Sequence, residues 1–327
     1  METPPSPVKL EKTRLSLYST GLVGNVRFSW DKDERSDVLD LKLQASEGTR
    51  HEIRLGGGVG VDRQHYELRG RLGYTHRNFI DPRVTLRFQA RPGIGFLSVG
   101  SKVILNLDTE LELERLDFLF PLLRGKIGVE YLLNEYDAYS VQGPGVQASI
   151  GRFFMDDRLA VALTTSYRWH SFPRIEPAVQ AVAEQIGLDD PESFVFIEPS
   201  VAWDSRDDPR SPSDGILLRM GVELGQVLSG DTPHPYLKIT PEARGYWAFG
   251  DRVVVAARVR FGTNVSALGR VPLTQRYLSG GADTQRGFGR GRLAPFVRGE
   301  NNESLPIGGG ALVETNAEIR IGLFDIM

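Results

Sequence analysis

RLAVALTTSYRWH (residues 158–170) is the stretch on which the reading of this chain turns. Leu159, Val161, Leu163, Tyr167 and Trp169 share one parity, and Arg158, Ala160, Thr164, Ser166, Arg168 and His170 share the other. Side chains on a strand alternate between two faces, so this segment reads as a β-strand with one greasy and one wet side. The same split recurs on both sides of it. In FVFIEPSVAWD, Val195, Ile197, Pro199, Val201 and Trp203 oppose Glu198, Ser200 and Asp204. In YLKITPEARGYW, Leu237, Ile239 and Ala243 oppose Lys238, Thr240, Glu242 and Arg244, and in RVVVAARVRF Arg258 and Arg260 alternate with Val259 and Phe261. Both signs of charge lie on the polar side.

About twelve such segments begin near residues 51, 65, 83, 102, 126, 141, 158, 194, 215, 236, 252 and 309. Most reach the roughly 9–11 residues that a tilted strand needs to cross a bilayer. Short turns such as MDDR and FGDR alternate with longer connections at 171–193 and 267–307, the asymmetry expected of an outer-membrane barrel. A large soluble antiparallel sandwich also alternates, and periodicity alone does not separate the two. Strand length, loop asymmetry and the aromatic residues near strand ends (Tyr74, Tyr136, Tyr167, Trp169, Trp203, Trp247) favour the barrel. In 171–193, Val179, Val182 and Ile186 share one helical face that packs on the loop or rim.

Composition narrows the function classes. A net charge of −3 over 327 residues offers no basic field for nucleic acid. The absence of cysteine rules out disulfides, thiolate catalysis and Cys-ligated zinc, and fits either a reducing compartment or an envelope protein without bridges. No apolar run is long enough for a transmembrane helix, and METPPSPVKLEKTRLSLYSTG lacks signal-peptide order, so either the protein is not exported or the chain is a fragment. G-x-S-x-G, H-E-x-x-H and phosphate-binding loop motifs are missing, and the five histidines have no ligand spacing. The expectation is no enzyme, no cofactor and no metal. DSRDDPRSPSDG (residues 204–215) lacks the ligand order of a calcium loop and carries Arg206 and Arg210, so it reads as a charge-paired turn.

The first fifty residues differ. LYSTGLVGNVRFSW and SDVLDLKLQASEG read as two strands joined by the turn DKDERSD, with Leu39, Leu41 and Leu43 alternating with Asp40, Lys42 and Gln44. They form a small module, or the last part of one, ahead of the barrel. The first barrel strand carries Gly56, Gly57, Gly58 and Gly60, which either weaken a seam built on that strand or ease its curvature near a bulge.

Four stretches resemble the BamA/TamA superfamily of outer-membrane assembly and translocation barrels, the bacterial surface antigen proteins. LYSTGLVGNVRF…DVLDLKLQASEG resembles the second half of a POTRA module. EIRLGGGVGVDRQHYELRGRLGYTHRNF resembles the first barrel hairpin. DSRDDPRSPSDG, with Asp204, Arg206, Asp207, Pro212 and Gly215, resembles the family's periplasmic acidic-arginine turn. RYLSGGADTQRGF followed by GGGALVETNAEIRIGLF resembles its signature loop and the next strand.

The resemblance implies an all-β fold. Residues 1–50 would be the C-terminal part of a small α/β POTRA module, and residues 51–327 an antiparallel transmembrane barrel, about twelve strands of a larger one. It implies that the loop folds into the lumen, where Arg286, followed by Gly287 and Phe288, pairs with the wall carboxylate Glu318. Gly280, Gly281 and Gly287 would supply turns at positive φ, and a guanidinium fork would bind carboxylate more strongly in a partly dehydrated lumen. Gln285 stands where the family usually has a small aliphatic residue. Gly56, Gly57, Gly58 and Gly60 would line a lateral gate that templates an incoming strand. About four further strands and a second lumen carboxylate would follow Met327. Implied partners are outer-membrane lipids, unfolded outer-membrane or secreted clients, periplasmic chaperones and accessory subunits, in the outer membrane of a Gram-negative-type bacterium. A secretion barrel exporting a passenger or fused enzyme domain, and a passive pore, are the alternatives.

Overall fold

The computed structural model describes residues 10, 13–14, 17–18, 23–32, 39–62, 65–97, 103–230, 232–250, 252–281, 284–300 and 302–322. At the N-terminus β1 (Val23–Lys32) and β2 (Leu39–Glu47) pair antiparallel, placing Phe28 opposite Leu43 and Trp30 opposite Leu41. Most of the turn DKDERSD (31–37) falls at 33–37, outside the described residues. Leu41 and Leu43 are exposed although they alternate with polar residues; Val26 is buried, and its N–H donates to the Tyr18 hydroxyl at 3.1 Å.

The remaining chain forms one antiparallel sheet. Its strands are β3 (His51–Asp62), β4 (His65–Arg77), β5 (Val84–Leu97), β6 (Val103–Arg115), β7 (Arg124–Glu135), β8 (Tyr139–Phe154) and β9 (Leu159–Ile175), then β10 (Glu192–Asp204), β11 (Gly215–Val227), β12 (His234–Ile239), β13 (Glu242–Phe249), β14 (Val253–Ser266) and β17 (Ala311–Ile321). A small hairpin, β15 (Phe296–Arg298) and β16 (Ser304–Pro306), sits between β14 and β17. Each strand pairs with the next in sequence. β12 and β13 are one strand in space: Lys238 faces Glu223 and Asn264, and Glu242, four residues on, faces Arg219 and Arg260 with no shift of register. The interruption falls at Pro241, which has no N–H to give the ladder. The result is an up-and-down meander of twelve spatial strands, as the alternation predicts, with β3 and β17 as its edges among the described residues.

The outside of this sheet is apolar. Leu55 and Val59 on β3 are 79% and 80% exposed, and Ile127, Val161, Ile197, Leu218, Phe261 and Ile319 continue the belt on other strands. The inside is charged and paired across strands. Arg87 contacts Glu112 at 2.9 Å and also Glu114, Lys126 reaches Glu112 at 3.1 Å, and Arg168 meets Glu130 at 2.8 Å. An apolar exterior around a charged interior inverts the soluble sandwich, whose greasy faces meet each other.

The wet parity is not uniformly polar. Phe194, Phe196, Val227 and Tyr236 form a buried cluster on the lumen side, with the Tyr236 hydroxyl donating to Glu223 at 2.5 Å.

Four details depart from the pattern read in the sequence. The connection expected at 171–193 is only 176–191, because β9 continues to Ile175 in pairing with β8. It holds two short helices, α1 (Pro177–Gln180) and α2 (Ala183–Ile186), instead of one. Val179 and Ile186 are buried there against Tyr139, Phe172, Leu273 and Leu305, with Val182 beside them. Loop asymmetry is narrower than expected: on the long-loop rim only 176–191 and 267–310 are long, whereas 136–138 is a tight turn. Tyr136, expected at a membrane interface, packs into the same buried cluster.

Candidate functional site: a loop folded into the lumen

Residues 267–310 leave β14 and return inside the sheet. A 3-10 turn at Leu273–Gln275 starts the descent. Two acidic residues that no spacing rule would single out hold it. Glu192, at the first position of β10, accepts the Leu273 N–H at 2.7 Å and the Thr274 hydroxyl at 2.8 Å, with His170 Nδ1 at 3.9 Å. Glu314 on β17 is 2% exposed; it accepts the Ser279 hydroxyl and lies 3.6 Å from Arg260.

Between these anchors, Lys238 Nζ donates to Gln275 Oε1 at 2.7 Å and Asn264 Nδ2 to the Gln275 carbonyl at 3.0 Å. The Tyr277 ring lies over Gly262, where a β-carbon would come within 2.6 Å of it. Its hydroxyl bonds Thr240 Oγ1 at 2.7 Å and donates to the Ile239 carbonyl at 3.2 Å. Arg292 closes the return with Asp137 at 2.6 Å. A cavity of about 320 Å³ lies between Arg276 of the loop and Arg91, Asp108, Glu130 and His170 of the wall.

The tip is a compact turn. Gly280 and Gly281 both have φ of 106°, and a β-carbon on Gly280 would meet the Gly289 carbonyl at 2.3 Å, so glycine is required there. Gly281 N–H donates to the Phe288 carbonyl at 2.9 Å. Gly287 does not share this geometry: it is absent from the positive-φ glycines, its neighbourhood is open, and Gly291 (φ 69°) takes the left-handed position instead. Phe288 is exposed.

Arg286 Nη2 stands 3.2 Å from Glu318 Oε2, so these two residues are brought together. The setting differs from the dehydrated one expected, because the Arg286 side chain is 75% exposed. Two further contacts run to the same strand: Gln285 Nε2 to the Thr315 carbonyl at 3.2 Å and Asn316 Nδ2 to the Thr284 carbonyl at 2.8 Å. Gln285 thus tethers the tip by a polar contact that a small aliphatic residue would lack.

Glu318 also joins the loop to the turn at 205–214. Its second oxygen takes Arg320 Nε at 2.7 Å; Arg320 Nη1 donates to the Pro212 carbonyl at 3.3 Å and its guanidinium lies 5.6 Å from the Tyr246 ring centre. In that turn Arg206 pairs with Asp204 at 2.7 Å, and Asp207 accepts from the backbone N–H groups of Ser213 and Asp214 at 3.0 and 3.2 Å and from the Ser213 hydroxyl. That hydroxyl and those N–H groups hold the Asp207 carboxyl well below the usual carboxylate range. Gly215 has φ of 103°, and a β-carbon would meet the Ser205 carbonyl at 2.5 Å. The motifs at 204–215 and 286–288 are therefore linked through Glu318 and Arg320.

Gly56, Gly57, Gly58 and Gly60 lie on β3, at the other end of the strand order from β17. None has positive φ, and no atom approaches a β-carbon at any of them closer than 3.6 Å. The β3–β4 register runs unbroken from His51–His76 to Asp62–His65, without a bulge. Among the described residues no cluster of acidic and histidine side chains could hold a metal.

An antiparallel meander with an apolar exterior, a charge-laddered interior and a long connection bonded inside it is an outer-membrane barrel with an inward-folded loop. The chain belongs to the Omp85 superfamily, whose domain model matches residues 47–326. Among matching solved structures, BamA from Haemophilus ducreyi lacking POTRA domains 1–3 shares the fold at a TM-score of 0.68 and 18% identity, over 96% of this chain and 61% of that one. CdiB from Acinetobacter baumannii matches at a TM-score of 0.56 and 12% identity, over 96% and 55%. The chain thus spans little more than half the length of these structures. No curated protein sequence matches it.

Proposed function

We propose that this protein inserts or translocates other proteins at the outer membrane, with residues 1–50 as part of a periplasmic POTRA module that receives unfolded chains. The observation that carries the reading is the tethering of the loop to β17, through Ser279–Glu314, Thr284–Asn316 and Arg286–Glu318. A loop braced against the wall from within suits a barrel that must open at its seam without collapse.

In this reading β3 forms one side of a lateral gate. Gly56, Gly57, Gly58 and Gly60 leave that strand with few side-chain contacts, and nothing near them demands glycine for space, so their effect is to weaken the seam. An incoming strand would add to the free edge through backbone hydrogen bonds. Arg286 and Glu318 hold the tip in register with β17. Arg320 passes its position to the turn of Asp204, Arg206, Asp207, Pro212 and Gly215, on the rim from which residues 1–50 leave. Chaperones and accessory subunits would dock there. Nothing in this scheme uses a cofactor or a catalytic residue.

The test uses the full-length gene in its own host. With Arg286→Ala present in the outer membrane at normal level, other barrel proteins are expected to become heat-modifiable markedly more slowly. Unchanged assembly together with a passenger accumulating in the periplasm would move the assignment to a secretion barrel. Unchanged assembly and export would remove the loop from the mechanism.

A further inference from the structure

Five connections, at 78–83, 116–123, 155–158, 205–214 and 250–252, lie on the rim from which the N-terminal hairpin leaves. Turns facing water are built from Gly, Asn, Asp, Ser and Pro. Three consecutive ones here instead present Ile80, Leu119, Phe120, Leu122 and Met155, each at least 64% exposed. Leu122 (φ 67°) and Met155 (φ 56°) occupy the left-handed region, where glycine or asparagine would be the unstrained choice. The backbone thus accepts strain and yet carries bulky apolar groups to the surface.

Hydrogen bonds across the turn at 116–123 fix Leu119, Phe120 and Leu122 in place. Phe118 N–H donates to the Leu123 carbonyl at 2.9 Å, and Leu122 N–H to Asp117 Oδ1 at 2.6 Å. Phe118 packs against Gly125, where a β-carbon would fall 2.6 Å from its ring. Gly125 shares the outward parity of Ile127 and Val129, so the turn curls towards the outer face and extends the apolar belt. Arg115, exposed at the end of β6 on that same parity, can reach a phosphate by snorkelling. Asp81, Asp117, Asp156 and Asp157 in these turns offset any attraction to anionic lipid.

We infer that the 116–123 turn, flanked by Ile80 and Met155, is an apolar foot that seats in the headgroup–acyl boundary of the adjoining leaflet, with phospholipid as its occupant. Continuity with the lipid-facing belt selects lipid over a protein partner, and the mixed charge makes apolar insertion the recognising interaction. The inference rests on the outer-membrane placement of the barrel.

Residues 1–327 contain no cysteine, so with any cysteine outside them replaced by serine, single-cysteine variants report cleanly. Leu119→Cys and Leu122→Cys carry an environment-sensitive dye in full-length protein reconstituted into phosphatidylcholine vesicles. Ile127→Cys serves as a belt control and Asn302→Cys as a control in the opposite-rim hairpin. Dyes at 119 and 122 are expected to be quenched by lipids bearing a nitroxide on the acyl chain, shielded from iodide, and unchanged by molar salt. Iodide quenching equal to that at Asn302 overturns the foot, as does shielding that arises only after an unfolded outer-membrane protein is added. If the Ile127 label also escapes lipid quenching, the membrane placement falls and the foot with it; if Ile127 is quenched and 119 is not, the foot alone falls.

Discussion

Two carboxylates on β17, four residues apart, show how differently the same side chain behaves on one strand face. Glu314 is buried, bonded to Ser279 and close to Arg260, whereas Glu318 meets Arg286 and Arg320 in an exposed setting. Removing a buried acceptor strands its partners, at a cost of about 1–3 kcal/mol. Breaking an exposed pair costs at most about 1 kcal/mol. Glu314→Ala is therefore expected to lower the urea midpoint of the folded barrel in detergent, read by loss of its compact gel mobility, clearly more than Glu318→Ala does. The reverse order would mean that the loop tip, and not its root, carries the anchoring energy. The roles proposed for Arg286 and Glu318 thus rest on position, and a fall in activity in Arg286→Ala without loss of stability is the matching signature.

At the scale of elements, the loop root depends on the flat contact between Tyr277 and β14. Gly262 lies in extended backbone beneath that ring, and Tyr277 is pinned by Thr240 and the Ile239 carbonyl, so the ring cannot swing aside cheaply. Gly262→Ala is expected to lift the root and expose 267–310 to protease in intact folded barrel; resistance equal to the parent would show that the contact is dispensable. The turn at 205–214 has a different vulnerability. Asp207 titrates near 3.9 in an unfolded chain and lower in the folded turn, so its contribution is complete above that range and fades as pH falls towards the folded value. The melting-temperature gap between the parent and Asp207→Asn is expected to be constant from about pH 8 to pH 5 and to shrink below about pH 4. A gap that widens on acidification would contradict the assignment.

For the whole molecule, the question is whether the loop stays docked while the barrel works. In the proposed mechanism it is a brace, so Thr284→Cys and Asn316→Cys joined by a short bis-maleimide are expected to retain assembly activity; these residues bond at 2.8 Å, and the chain has no other cysteine. Loss of activity on bridging, restored with a cleavable linker after cleavage, would show that the loop must leave the wall. The same scale explains the energetics of the sheet. Leucine and valine side chains on the outer face would each forfeit about 1.5–3 kcal/mol in water relative to burial, and the bilayer is the solvent that recovers it.

By itself the sequence determined which side of the strands at 158–170, 194–204, 236–247 and 252–261 faces outward, because side chains alternate with a period of two and each apolar parity needs a single solvent. Strand number, the start of each strand to within a few residues, and the approach of Arg286 to Glu318 were legible on that basis and from motif resemblance. Only the tertiary structure decided which groups hold the loop. Glu192 meets Leu273 and Thr274, and Asp137 meets Arg292, across long separations in the chain. Periodicity says that a carboxylate points into the lumen; it does not say which depth or which neighbour it meets there, since that follows from strand register and from how far a returning loop descends. The exposure of Arg286, the ordinary φ of Gly287 and the phenylalanines on the wet face have the same origin. Each is set by the shape of the enclosed space, which exists only after distant strands have paired.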